Sequence, residues 1–253
     1  MFKAHPNLIT PDSPTVLWRY LDLAKLLFLL EHDALWFARL DTLGDPYEGL
    51  PPKPFIDEMW AHAEAVPEAE REERLRVARH NTRAFGIGRE ILAVSCWHAN
   101  PVESAAMWNL YGKVGEGIAL RTTSERLERS FCQEHPQVYG GMIRYVDFES
   151  HAQATPVNIF DWATLKRTSF SHEREFRAIV MGETGPLVAG VAVPVDINVL
   201  IEGVYVAPAA ERWYAELVRR ACARFRLNAG VVQSELLAHP AYMERGLTDG
   251  GAV

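Results

Sequence analysis

The sequence predicts an α+β fold, and three observations carry that prediction. Short runs rich in Val, Ile, Trp and Tyr, which suit a pleated surface, recur along the 253 residues. They are separated by stretches with helical apolar spacing, without the strict strand–helix alternation of a doubly wound sheet. One long, highly charged helical stretch at 55–90 interrupts them. No internal repeat or low-complexity linker divides the chain, so a single domain over 1–253 with a helical insertion near 55–90 is the economical organisation.

The opening "MFKAHPNLITPDS", with Pro6 and Pro11, reads as an extended lead-in over 1–13. "TVLWRY" is the first strand. Asp22 is placed to cap the helix "LAKLLFLLEHD", and "ALWFARL" is the second strand. "DTLGDPYEGLPPKP" is turn-rich. In the charged stretch, Pro67 divides two helices, and the Arg and Glu residues of the second fall at the spacing of solvated ion pairs. "ILAVSCWH" is a strand and "VESAAMWNLYGK" a helix. "GEGIALRTT" is a strand followed by the helix "SERLERSFCQ", with Ser124 in a capping position. "VYGGMIRYVDF" reads as a strand with a glycine irregularity, and "PVNIFDWATLKRTSFS" as helix into loop. "SHEREFRAIV" and "PLVAGVAVPVD" follow. "VLIEGVYVAP", "AAERWYAELVRRACARF" and "AGVVQSEL" close the chain as strand, helix and strand, and 246–253 is expected to be a disordered tail.

Bulk properties narrow the function classes. Apolar residues make up 48% and charged residues 23%, which fits a soluble chain with a real core. The net charge of −7 argues against non-specific attraction to nucleic acid. The N-terminus lacks the layout of a signal peptide, and the longest apolar run is interrupted by charges, so no membrane partner is expected. Cys96, Cys132 and Cys222 lack metal-ligand spacing, so a cytoplasmic location with free thiols is expected. The nine histidines show no HExxH spacing, and no metal is expected. The GxG in "GIGRE" has no Walker or Rossmann continuation.

Three strands carry polar residues that a purely structural strand does not need: Arg19 with Tyr20, Ser95, and the set Glu173, Glu175 and Arg177. Residues two apart on a strand share a face, so the last three are expected on one side of a strand. A solvated face with an ion pair is the plain structural alternative. Asp45 and Glu48 lie in the turn "GDPYEG", either as turn formers or as substrate-binding groups. They are also the ion-pair partners open to Arg19.

At these residues resemblances appear. "LWRYLDLAKLLFLLEHDALWFARLDTLGDPYEG", "AVSCWHANPVESAAMWNLYGKVGEGIAL" and "KRTSFSHEREFRAIV" resemble the uncharacterised bacterial family called domain of unknown function 2971, over most of residues 16–181. More remotely, Arg on the first strand, Ser on a middle strand and Glu-x-Glu on a later one resemble the Arg, Ser, Glu-x-Glu class of the ADP-ribosyltransferase superfamily. The Ser strand has Val94-Ser95-Cys96 rather than a Ser-Thr-Ser run, and "GDPYEG" lies outside that signature.

That resemblance implies a split mixed or antiparallel sheet with flanking helices, NAD as substrate, and transfer of ADP-ribose to a protein or nucleic-acid acceptor, in the setting of a toxin or defence effector. Glu175 would stabilise the developing ribose cation, and Glu173 would polarise the incoming nucleophile. Arg19 would hold a phosphate, flanked by Tyr20, with Ser95 in the wall of the site. Tyr111 or Trp108 would stack on nicotinamide. Asp45, Glu48 and Arg177 would contact substrate. The alternatives are a non-catalytic binding protein on the same fold, and a metal-dependent nuclease-like enzyme built on Asp45, Glu48, Glu173 and Glu175.

Overall fold

The computed structural model describes residues 2–11, 14–112, 115–131, 136–151, 158–183 and 185–240. The expected tail over 246–253 and Cys132 lie outside these residues. In chain order the elements are β1 (Phe2–Lys3), β2 (Val16–Leu21), α1 (Leu23–His32), β3 (Ala34–Arg39), α2 (Lys53–Glu64), α3 (Glu68–Ile91), β4 (Leu92–Ala99), α4 (Ala105–Tyr111), β5 (Ile118–Thr123), α5 (Ser124–Ser130), β6 (Val138–Met142), β7 (Arg144–Val146), α6 (Ile159–Ala163), β8 (Leu165–Arg167), β9 (Glu175–Met181), β10 (Gly190–Pro194), α7 (Ile197–Leu200), β11 (Gly203–Val206), α8 (Arg212–Arg224) and β12 (Gly230–Gln233).

The architecture is α+β. A mixed, mainly antiparallel sheet runs β1-β6-β9-β4-β2-β5-β11-β12, with β3 pairing to β4 and β10, and helices flank it. The lead-in is not wholly extended coil, because Phe2 and Lys3 pair in parallel with Val138 and Tyr139. Gly140 makes room for this: a Cβ there would meet the rings of Phe2 and Phe176 at 2.4 and 2.6 Å.

β4 is where the sheet splits. One edge pairs along its length with β9, from Leu92↔Met181 to His98↔Glu175. The other edge is shared. β2 takes the C-terminal end, at Trp18↔His98 and Leu17↔Ala99. β3 takes the N-terminal end, at Ala38↔Val94 and Arg39↔Ala93. Residues 95–97 have no ladder partner on that edge, so β2 and β3 diverge there and leave a gap through the sheet.

Local chemistry fixes the elements around the gap. Asp22 caps α1 by accepting from the Lys25 N–H at 2.8 Å, and Leu26, Leu29 and Leu30 bury one face of that helix. Asp33, at φ 44°, turns the chain into β3. The cap of α5 is Thr123 rather than Ser124; the Ser124 hydroxyl accepts from Thr15 N–H instead. α6 starts with a reciprocal Asn158/Asp161 capping box. It leads into β8, which pairs in parallel with β7. The large core on one face includes Leu17, Phe37, Trp97 and Phe176; a smaller one on the other includes Val94, Phe160 and Ile179.

Candidate functional site

Arg19 spans the split. Its Nη1 donates to the Ser95 hydroxyl on β4 at 2.6 Å, and its Nη2 donates to the Trp36 carbonyl on β3 at 3.1 Å. The Trp97 indole N–H donates to the same Ser95 oxygen at 3.1 Å, and the guanidinium stands over the Trp97 ring. Neither hydrogen-bond partner is a carboxylate. Asp45 and Glu48, the partners open to Arg19 from the sequence, are engaged elsewhere. Burial pulls the pKa of Arg19 down, yet a guanidinium stays charged at any working pH. The site therefore holds a cation whose neighbours supply only neutral acceptors.

A buried charge cluster lies at the head of β9. Arg177, fully buried, donates from Nε to Glu175 Oε1 at 2.6 Å, from Nη2 to Glu175 Oε2 at 3.1 Å and from Nη1 to the Ala163 carbonyl at 2.8 Å. Glu48 Oε2 lies 2.7 Å from Nη2, an ion-pair contact outside hydrogen-bond geometry. Lys166 on β8 reaches three carboxylates: Glu175 at 3.0 Å, Glu48 at 3.2 Å and, more closely, Glu173. Tyr111 donates to the other Glu173 oxygen at 2.8 Å. Beside this cluster, Arg167 pairs with the buried Asp45 at 2.9 Å.

Electrostatics follow from these contacts. Burial alone would raise the Glu175 carboxyl, but the charges and hydrogen bonds of Arg177 and Lys166 outweigh it and hold it at about 2. Lys166 and Arg177 are driven up by Glu175 and Glu48 against the opposing effect of burial. By formal charge, three carboxylates (Glu48, Glu173 and Glu175) face two cations (Lys166 and Arg177), an excess of one.

A cavity of about 700 Å³ joins the two centres, and Arg19, Trp36, Phe170, Glu173, Glu175 and Arg177 are among its walls. This size is ordinary for a small-molecule site. Trp36 and Tyr111 are partly exposed in it, at 39% and 49%. Cys96 lines the floor, with its thiol pushed up by burial and by Glu175, hence protonated.

The structure thus brings Arg19, Tyr20, Ser95, Tyr111, Asp45, Glu48, Glu173, Glu175 and Arg177 to one region. Two expectations need correction. Trp108 is no stacking platform: it is 5% exposed, packs edge-on against Tyr20, and donates its indole N–H to Glu103. Glu173 is not on the strand with Glu175 and Arg177. It ends a 3-10 turn over Thr168–Glu173, and Arg174 at φ 41° then swings the chain into β9. That left-handed residue brings Glu173 back to Lys166. Tyr20 lines the cavity, but its hydroxyl accepts from Ser104 N–H and braces α4; burial pushes its pKa to about 12.

Sequence reasoning missed Lys166, Arg167 and His98. Lys166 and Arg167 stood in "KRTSFSHEREF", and their spacing from Glu173 and Glu175 was the available signal. Among the described residues no group of three or more His, Cys, Asp and Glu is arranged for a metal ion. The position between Glu48, Glu173 and Glu175 is filled by the Lys166 ammonium. No helix among the described residues is long and apolar enough to cross a membrane.

No family model and no curated protein matches this chain. Among solved structures, Thermus sp. 2.9 DarT in complex with NAD+ is similar at 13% identity and a TM-score of 0.42, covering 89% of this chain and 98% of that one. The same protein in complex with ADP-ribosylated ssDNA is similar at 14% identity and a TM-score of 0.41, over 90% and 98%. These are distant likenesses.

Proposed function

We propose that the cavity binds NAD and that the protein breaks the nicotinamide–ribose bond, transferring ADP-ribose to an acceptor. One observation carries this reading: a single cavity holds, among its walls, a guanidinium without a carboxylate partner and a buried cluster with one carboxylate in excess. NAD has the complementary polarity, with an anionic pyrophosphate and a cationic pyridinium ring. Arg19, pre-oriented by Ser95 and the Trp36 carbonyl, offers a planar fork to the pyrophosphate. The excess negative charge of the Glu173, Glu175 and Glu48 cluster faces the ribose as it becomes oxocarbenium-like. Negative charge fixed in a water-poor site stabilises such a transition state far more than it would in water. Glu173, bonded to the half-exposed Tyr111, is the more accessible acid; Glu175 is locked one layer deeper and sets the field. The Arg, Ser, Glu-x-Glu resemblance supports the same assignment and leaves a protein or a nucleic acid as the acceptor.

The test is incubation with NAD and chromatographic detection of nicotinamide, beside an Arg19→Met variant. Release by the parent and its loss in the variant is the expected result. A second reading, a binding protein without turnover, is favoured by one observation: both Glu175 oxygens are already occupied by Arg177 and Lys166. NAD binding by calorimetry with no nicotinamide release would establish that reading instead.

A further inference from the structure

His98 has a buried polar atom with no described partner. It stands on β4 opposite Glu175 of β9 and Trp18 of β2, lines the cavity, and is 3% exposed. Its Nδ1 lies 2.6 Å from the Glu173 carbonyl. A carbonyl oxygen only accepts, so Nδ1 carries the hydrogen, and in the neutral ring Nε2 keeps the lone pair. No described group donates to Nε2. Around the ring are Glu173, His172 and Arg174 from the turn before β9, Glu175 across the ladder, and Tyr20 from β2 at 6.4 Å between ring centres. Burial lowers the ring's pKa most strongly, against the raising effect of the Glu173 carbonyl, so the ring is neutral at physiological pH. A buried acceptor left without a donor is unfavourable, which points to a donor that arrives with the ligand. The nearby carboxylates are already engaged: Tyr111 and Lys166 bond Glu173, and Arg177 and Lys166 bond Glu175.

We infer that His98 Nε2 is the general base of the site, taking the proton from the O–H or N–H group that attacks the ribose; this rests on the NAD reading above. As the C1′–nitrogen bond breaks, its electron pair stays on nicotinamide, which leaves as a neutral molecule. The acceptor's oxygen or nitrogen forms the new bond to C1′. Its proton passes to Nε2, and the imidazolium then releases it to solvent. The acceptors so selected are neutral hydroxyl or N–H groups. A carboxylate has no proton to give and would set a lone pair against a lone pair. Water is the simplest acceptor, so hydrolysis of NAD to ADP-ribose, nicotinamide and a proton tests the base directly.

The experiment measures nicotinamide release from NAD in water between about pH 5 and about pH 8, for the parent chain, His98→Gln and His98→Asn, with NAD affinity and thermal melting alongside. His98→Asn keeps an N–H donor for the Glu173 carbonyl and protects the fold. The parent's kcat/KM should fall as pH drops through one ionisation below the usual histidine value of about 6.5. Both variants should bind NAD with near-parent affinity, lose about 10²–10⁴-fold in kcat, and lose the acid limb. A folded variant that keeps its rate and its acid limb overturns the inference, as does a parent rate that is flat over the whole range. NAD bound without any nicotinamide release removes the cleavage reading and the base with it; release that survives in the variants removes only the base.

Discussion

Glu175→Gln separates the structural from the electrostatic work of the cluster. The substitution keeps the side-chain shape and removes one charge from a group 2% exposed. A carboxylate held at about 2 rather than near 4.5 contributes about 3 kcal/mol of stability above pH 5. Breaking a buried pair by removing one partner gives about 3–5 kcal/mol. Arg177 keeps the Ala163 carbonyl and the Glu48 contact, so the lower end applies. For a chain of this length, about 3 kcal/mol lowers Tm by about 6–12 °C. The sign of the pH effect is fixed: a depressed carboxyl stabilises above its unfolded value. The gap between parent and variant should therefore close as pH falls from about 5 towards about 2. Thermal melts at several pH values read this out. A Glu175→Gln protein melting within about 2 °C of the parent at neutral pH would refute the account of the cluster.

Other consequences are sharp enough to measure. Arg19→Met should weaken NAD binding by about 10–100-fold, the worth of one charged hydrogen-bonding group, with Tm almost unchanged because no carboxylate is orphaned; calorimetry and melting report both. Lys166→Met leaves three carboxylates facing Arg177 alone, so its Tm should fall at neutral pH, and melts should show the deficit against the parent shrinking as the solution is acidified. Gly190→Ala should destabilise the β3–β10 pairing by about 1–3 kcal/mol, since Gly190 sits at φ 151° and a Cβ would meet the Phe37 carbonyl oxygen at 2.3 Å and the Trp36 ring at 2.8 Å; denaturant unfolding checks it.

Much of the frame was legible from local pattern. Strand chemistry in "TVLWRY" and "ILAVSCWH", helical spacing in "LAKLLFLLEHD", and Pro67 between two helices all depend on near neighbours. The same holds for Glu175 and Arg177, whose spacing of two puts them on one face of β9. What escaped depends on contacts distant in the chain. Nothing near Trp108 says that Tyr20 will cover it, and nothing near Phe2 says that Gly140 will admit it beside β6. Glu173 misled because the alternation of a strand was extended one turn too far; Arg174 takes a left-handed conformation that non-glycine residues seldom adopt. The split itself arises because β2 and β3 claim different halves of β4, a division of one edge that no single stretch encodes.

A structure of the chain with NAD bound decides whether the cavity between Arg19 and the Glu173–Glu175 cluster takes the dinucleotide. The pyrophosphate should lie within hydrogen-bond distance of the Arg19 guanidinium, and the nicotinamide ribose beside Glu173 in the same cavity. NAD lying outside the split, or bound in it with Arg19 still held only by Ser95 and the Trp36 carbonyl, would contradict it.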